Sequence, residues 1–149
     1  MDRAEYAAQL FLKGYNCAQA VAVAFSDLTG LTPELSAKMA SSFGGGMGRM
    51  REVCGAVSGM LMVTSLLYGY DDPEDAQEKK DLYKLVQSLA EQFRQQNGSI
   101  ICRELLNNPP SDPHPSPRTA EYYRQRPCAG MVFAAAEILD AYIAEHPVK

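Results

Sequence analysis

The sequence has no C-x-x-C pair, so its four cysteines, Cys17, Cys54, Cys102 and Cys128, form neither a local thioredoxin-type dithiol nor a zinc ribbon. It has no excess of basic charge either. A net charge of −4 removes the electrostatic case for gripping nucleic acid or an anionic membrane, so neither partner is expected. No apolar run reaches the roughly 18 to 20 residues that a membrane-spanning helix needs. The one candidate, residues 53–67, is shorter and carries Ser58, Thr64 and Ser65, so a buried helix is expected in place of membrane insertion. Asp2, Arg3 and Glu5 occupy the start with no apolar h-region, which predicts no secretory signal and a cytoplasmic location. Ser58, His114 and His146 follow no triad order, which argues against hydrolytic catalysis. No period-2 run is bounded by turns and no internal repeat is present, so an α+β arrangement has no strand to build on.

What is present is an ordinary globular composition of 149 residues, 46% apolar and 21% charged, enough for one domain over residues 1–149 with a sizeable core. A reducing cytosol does not keep structural disulfides, so four cysteines without an export signal point to redox, metal or cluster use. Free cysteine is also among the most buried residue types, and a purely structural role is the competing reading.

Helix signals run along the chain. Asp2 is a candidate cap for a first helix with Tyr6, Leu10 and Phe11 on one face, ended by Gly14. Asn16 and Gln19 make an N-x-x-Q capping box for a second, whose stripe of Val21, Ala22, Phe25 and Leu28 continues to Thr29-Gly30. Thr32-Pro33-Glu34 opens a short third. The apolar helix follows from about Glu52 to Tyr68, with Met60 and Met62 as core filler. Asp72-Pro73-Glu74-Asp75 opens the longest, amphipathic through Leu82, Leu85, Val86, Leu89 and Phe93 and ended near Asn97-Gly98. Ser99 caps a brief helix from Ile100 to about Leu106, and a loop with five prolines carries the solvated His114. Thr119 caps a short segment, and Pro127 opens the last helix, with Met131, Val132, Ala135, Leu139 and Tyr142 toward the core. The expectation is an all-α, single-domain bundle of about six helices around the apolar one.

The organising stretch is Ser42-Phe43-Gly44-Gly45-Gly46-Met47-Gly48-Arg49-Met50-Arg51-Glu52-Val53-Cys54-Gly55-Ala56-Val57-Ser58-Gly59. Its glycines permit positive φ and close approach of backbone or ligand. Gly55 and Gly59, four apart, offer a small-residue face on which another helix comes close to Cys54. The loop lacks the G-K-[ST] ending of a P-loop and follows a helix, so a nucleotide reading fails on context.

Cys54-Gly55-Ala56-Val57-Ser58-Gly59 reads C-G-A-x-x-G. With Gly14-Tyr15-Asn16-Cys17 upstream and single cysteines at 102 and 128, the chain resembles the C_GCAxxG_C_C family of redox-active four-cysteine proteins from about Gly14 to about Gly130. The resemblance implies redox use of the cysteines, a redox partner protein and a link to a transport system. It implies no particular reaction.

Cys17, Cys102 and Cys128 are each expected in the first turn of a helix and Cys54 at the start of another, where free amides favour a thiolate. Arg49 and Arg51 precede Cys54 and are placed to lower its pKa further. Gaps of 37, 48 and 26 residues still allow one shared site, because bundles assemble sites from separate helices. Such a site suits thiol–disulfide exchange or electron transfer. It also suits an iron–sulfur cluster or zinc held by the four thiolates, with amides around Gly44, Gly45, Gly46, Gly48 and Gly55 bonding the sulfurs, and the glycine-rich close approach slightly favours this second chemistry. A structural helical interaction protein is the third reading. The oligomeric state is left open.

Overall fold

The computed structural model describes residues 2–148, and within them the regular elements are helical. They are α1 (Arg3–Leu12), α2 (Cys17–Ala24), α3 (Ser26–Thr29), α4 (Pro33–Ala40), α5 (Gly55–Tyr68), α6 (Ala76–Asn97), α7 (Cys102–Leu105), α8 (Ala120–Gln125) and α9 (Cys128–Glu145), with a 3₁₀ turn at Ser41–Phe43. Nine α-helices among the described residues replace the expected six or so. Long expected helices break, and short ones punctuate the loops.

The caps are those the sequence encodes except at the longest helix, which starts three residues after the Asp72-Pro73 signal with Asp75 as its cap. Asp2 accepts from the Glu5 amide, Thr32 from Leu35, Asp75 from Glu78 and Thr119 from Tyr122. Asn16 and Gln19 form the reciprocal capping box. The expected second helix stops early, at Phe25. Arg3 reaches from α1 to bond the Ala24 carbonyl at 2.9 Å and lies over the buried Phe25 ring, so Phe25 leaves helical geometry and α3 starts afresh. Leu28 is left 36% exposed, and Tyr6 on α1 is 39% exposed, so neither joins the core as the spacing predicts.

The element enclosed on all sides is α2, not α5. Every residue of α2 except Gln19 is buried, and α1, α4, α5 and α9 pack around it. Its content explains why: Ala18, Ala20, Ala22 and Ala24 are small enough for neighbours to approach from each direction. The small face of α5 meets α2, as expected. A Cβ on Gly59 would sit 2.6 Å from the Ala18 carbonyl oxygen, and one on Gly55 3.1 Å from Cys17 Cβ. Met60, Val63, Leu89, Phe93, Val132 and Leu139 fill the core where α5, α6 and α9 meet.

The start of α5 also moves. Residues 52–54 are not its first turn. Val53 forms an antiparallel bridge with Ile101, flanked by Cys54 N–H donating to the Ile100 carbonyl at 2.7 Å and Cys102 N–H to the Glu52 carbonyl at 2.6 Å. One bridge carries no periodicity that a sequence pattern exposes. It also shortens the helix expected from Ile100, so α7 begins at Cys102.

Candidate functional site

Each cysteine occupies the start of a helix. Cys17, Cys102 and Cys128 are the first residues of α2, α7 and α9, and Cys54 is the N-cap of α5. These four starts converge, and all four cysteines line one cavity of about 60 Å³. Gly45, Gly46, Gly55 and Arg51 line the same cavity. Gly44, Gly48 and Arg49 line an adjoining groove of about 300 Å³, while Gly59 lies outside both and serves the α2–α5 contact.

The glycine loop reaches the cavity through an unusual backbone path. Gly45, Gly46, Met47, Gly48, Arg49 and Arg51 all have φ between 59° and 70°. Left-handed geometry costs a residue with a side chain about 1 to 2 kcal/mol, so Met47, Arg49 and Arg51 are strained and must be held in place by their surroundings. The amides of Met47, Arg49, Arg51 and Glu52 donate to the carbonyls of Phe43, Gly44, Gly45 and Gly46. Those four donors are spent within the loop; the amides that meet a sulfur are those of Ala56 and Val57, beside Gly55, at Cys54. What the loop provides is proximity: a Cβ on Gly46 would lie 2.6 Å from Cys102 Cβ.

The arginines go elsewhere than expected. Arg49 leaves the cysteines and bonds the Asp112 carbonyl at 2.7 Å, the Ser116 hydroxyl at 3.0 Å and the Asp112 carboxylate at 3.2 Å. Arg51 is only 4% exposed; it donates to the Pro110 carbonyl at 2.9 Å and to Cys102 Sγ, not Cys54, at 3.7 Å. The pair ties the proline-rich loop down against the site. His114 in that loop is exposed, as expected.

Sequence reading missed Arg118 and Arg126, which line both the cavity and the groove. Arg118 donates to the carbonyls of Phe11 and Tyr15 at 3.0 Å each, near the end of α1, and lies over the rings of Phe11 and Tyr122. Arg126 lies over Tyr122, its guanidinium 5.3 Å from the ring centre. A signal for Arg126 was there: it stands two residues before Cys128, as Arg51 stands three before Cys54.

Burial overrides the helix starts at Cys54 and Cys102, and the pairing with Cys128 does so at Cys17. Burial pushes Cys54 up to about 12, although the amides of Ala56 and Val57 favour its anion. Burial raises Cys102 too, with Arg51 pulling partly against it. Cys17 is raised well above its ordinary value, first because it donates a hydrogen bond to Cys128 and then because it is buried. Cys128 alone is lowered, to about 7, by that bond from Cys17 and then by Arg126, Arg118 and Arg51, against the cost of its burial. Only Cys128 is lowered, and by Cys17 and the arginines in place of the expected helix-start amides; amides do favour the anion at Cys54, but burial outweighs them.

Folding stability should follow these shifts. Cys128 ionises more readily folded than unfolded, so its contribution is present above the ordinary thiol value of 9.0 and is lost as pH falls through about 7. Cys17 and Cys54 run the other way: their contribution is present below 9.0 and is lost as pH rises beyond it. Denaturant midpoints of the reduced protein should rise from pH 7 to pH 9 and fall above it. Cys128→Ser should remove the rise and keep the fall.

All four cysteines are free thiols. Among the described residues, no three His, Cys, Asp or Glu side chains are grouped so as to hold a metal ion. No helix among the described residues is long and apolar enough to cross a membrane.

Comparison with known proteins agrees with the cysteine pattern. No curated protein and no solved structure matches the chain. The sequence model of the family described as "Putative redox-active protein (C_GCAxxG_C_C)" matches residues 15–142. That span contains all four cysteines, the glycine loop and both arginines that sequence reading missed, and the chain belongs to this redox-active four-cysteine family.

Proposed function

We propose that the protein is a thiol–disulfide redox protein in which Cys17 and Cys128 are the exchanging pair. What supports this is that both residues line one cavity of about 60 Å³ and that Cys128 is lowered to about 7, first by its pairing with Cys17 and then by Arg126, Arg118 and Arg51, while Cys17 is raised. Exchange needs a thiolate to attack and a second thiol beside it to resolve, and this pair supplies both. The Cys128 thiolate attacks one sulfur of a disulfide; that bond breaks, and the departing thiolate takes a proton. Cys17, once deprotonated, attacks the Cys128 sulfur of the mixed disulfide and releases the second half. The two protein thiols are oxidised to one disulfide and the incoming disulfide is reduced to two thiols.

Cys54 and Cys102, protonated at neutral pH, are the reserve dithiol that takes oxidising equivalents from the first pair within the shared cavity. Return to the reduced state falls to a redox partner, for which the family resemblance implies a protein linked to a transport system. A four-thiolate cluster or zinc is the second reading; among the described residues no three His, Cys, Asp or Glu side chains are grouped so as to hold a metal ion.

The test is limited oxidation of the anaerobically reduced protein, followed by peptide mapping without reduction. The expected first product links Cys17 to Cys128, and Cys17→Ser should instead accumulate a mixed disulfide on Cys128. A first link between Cys54 and Cys102 would assign attack to the other pair. Iron with acid-labile sulfide in the same preparation would replace exchange by cluster chemistry.

A further inference from the structure

The groove beside the thiols has a charge pattern that exchange alone does not require. Arg49, Arg51, Arg118 and Arg126 all line it, and no aspartate or glutamate does, in a chain whose net charge is −4. Only Arg49 has a carboxylate partner among the described residues. Arg51 is buried against a carbonyl and a thiol, while Arg118, on carbonyls and rings, and Arg126, over the Tyr122 ring, are half-buried. Guanidinium groups removed from water without counter-charge are costly, and an anion between them offsets that cost. The Cys128 thiolate supplies one negative charge at the inner end. Outside it, the one carboxylate on a groove-lining arginine among the described residues is Asp112, taken up by Arg49.

Size narrows the occupant. The cysteines are no more than 9% exposed, and the proline-rich loop is fastened at the mouth by Arg49 and Arg51. A disulfide on the surface of a folded protein would need its backbone to enter with it. A groove of about 300 Å³ leading to a cavity of about 60 Å³ instead matches the lower end of small-ligand pockets. Arg51, Arg118, Arg126 and Tyr122 line both spaces, so a molecule with its charged end in the groove extends toward Cys128.

We propose that the arginine-lined groove selects a small disulfide carrying carboxylates and delivers its sulfur to Cys128. This rests on the exchange reading above and adds its substrate class. The carboxylate pairs with Arg126 and Arg118, the disulfide sulfur meets Cys128, and the reaction balances as already given: two protein thiols oxidised, one small disulfide reduced to two anionic thiols.

The test compares three small disulfides of similar length on the fully reduced protein: dithiodipropionate (anionic), hydroxyethyl disulfide (neutral) and cystamine (cationic). Each rate of thiol loss is divided by the rate of the same disulfide with free mercaptoethanol, which removes differences in intrinsic reactivity. The normalised rate should be at least about tenfold higher for dithiodipropionate than for cystamine at low salt, and the preference should shrink as salt screens it. Arg126→Gln should bring the ratio toward one. Because the ratio compares substrates at one and the same thiolate, a change in Cys128 ionisation cancels from it. Equal normalised rates, or a faster cystamine, overturn the substrate class and leave exchange standing. If none of the three reacts while iodoacetamide still modifies Cys128, exchange itself is wrong and the substrate class falls with it.

Discussion

Cys128→Ser should slow alkylation of the reduced protein by iodoacetamide at pH 7 by about two orders of magnitude, whereas Cys54→Ser should barely change it. The argument is one of populations. A thiol with a pKa of about 7 is roughly half ionised at neutral pH, while one pushed to about 12 is ionised in about one molecule in a hundred thousand. Cys17 and Cys102 are also raised, so neither replaces the lost thiolate. The Cys17→Ser variant refines the test. Removing the hydrogen-bonded partner takes away the first cause of the low Cys128 value, so the midpoint of the alkylation profile should move upward while the limiting rate at high pH stays close to wild type. If Cys54→Ser abolished the fast reaction instead, the attacking role would belong to the centre of the C-G-A-x-x-G motif. Circular dichroism would confirm that each serine variant keeps its helices, since the exchange of sulfur for oxygen is nearly isosteric.

Gly46→Ala should be strongly damaging, lowering stability by about 3 kcal/mol or more from overpacking and left-handed strain together. For a protein of this size that is a fall in Tm of about 10 °C. The added carbon would lie 2.6 Å from Cys102 Cβ, 2.7 Å from the Glu52 nitrogen and 2.8 Å from Arg51 Cα. Two of these are backbone atoms and cannot swing aside. Gly98→Ala is the comparison, because Gly98 has φ +95° with nothing within 4 Å of the added carbon. It should cost only the conformational strain, about 1 to 2 kcal/mol. Equal losses in the two variants, measured by urea unfolding, would mean that the loop does not press on Cys102. A larger loss at Gly46, with a change in the alkylation profile of Cys128, would connect the loop path to the placement of Arg51 and through it to the thiolate.

The amino-acid sequence by itself determined the helices, because their signals are local. Asp2, Asn16, Thr32, Asp75 and Thr119 cap the elements they precede, Gly30 and Gly98 end theirs with positive φ, and no distant residue is needed for either effect. The helix-start positions of the cysteines and the close approach at Gly55 and Gly59 were legible for the same reason. Tertiary structure decided the rest. The break at Phe25 depends on Arg3, and the bridge between Val53 and Ile101 joins segments with too little pattern to announce it. Thiol acidity was decided there too. A helix start favours the anion by a modest, local amount, while desolvation in a packed interior opposes it more strongly. Which thiol escapes depends on Arg118, Arg126 and Arg51 meeting around Cys128 and on Cys17 donating to it, a convergence that exists only once the chain has folded.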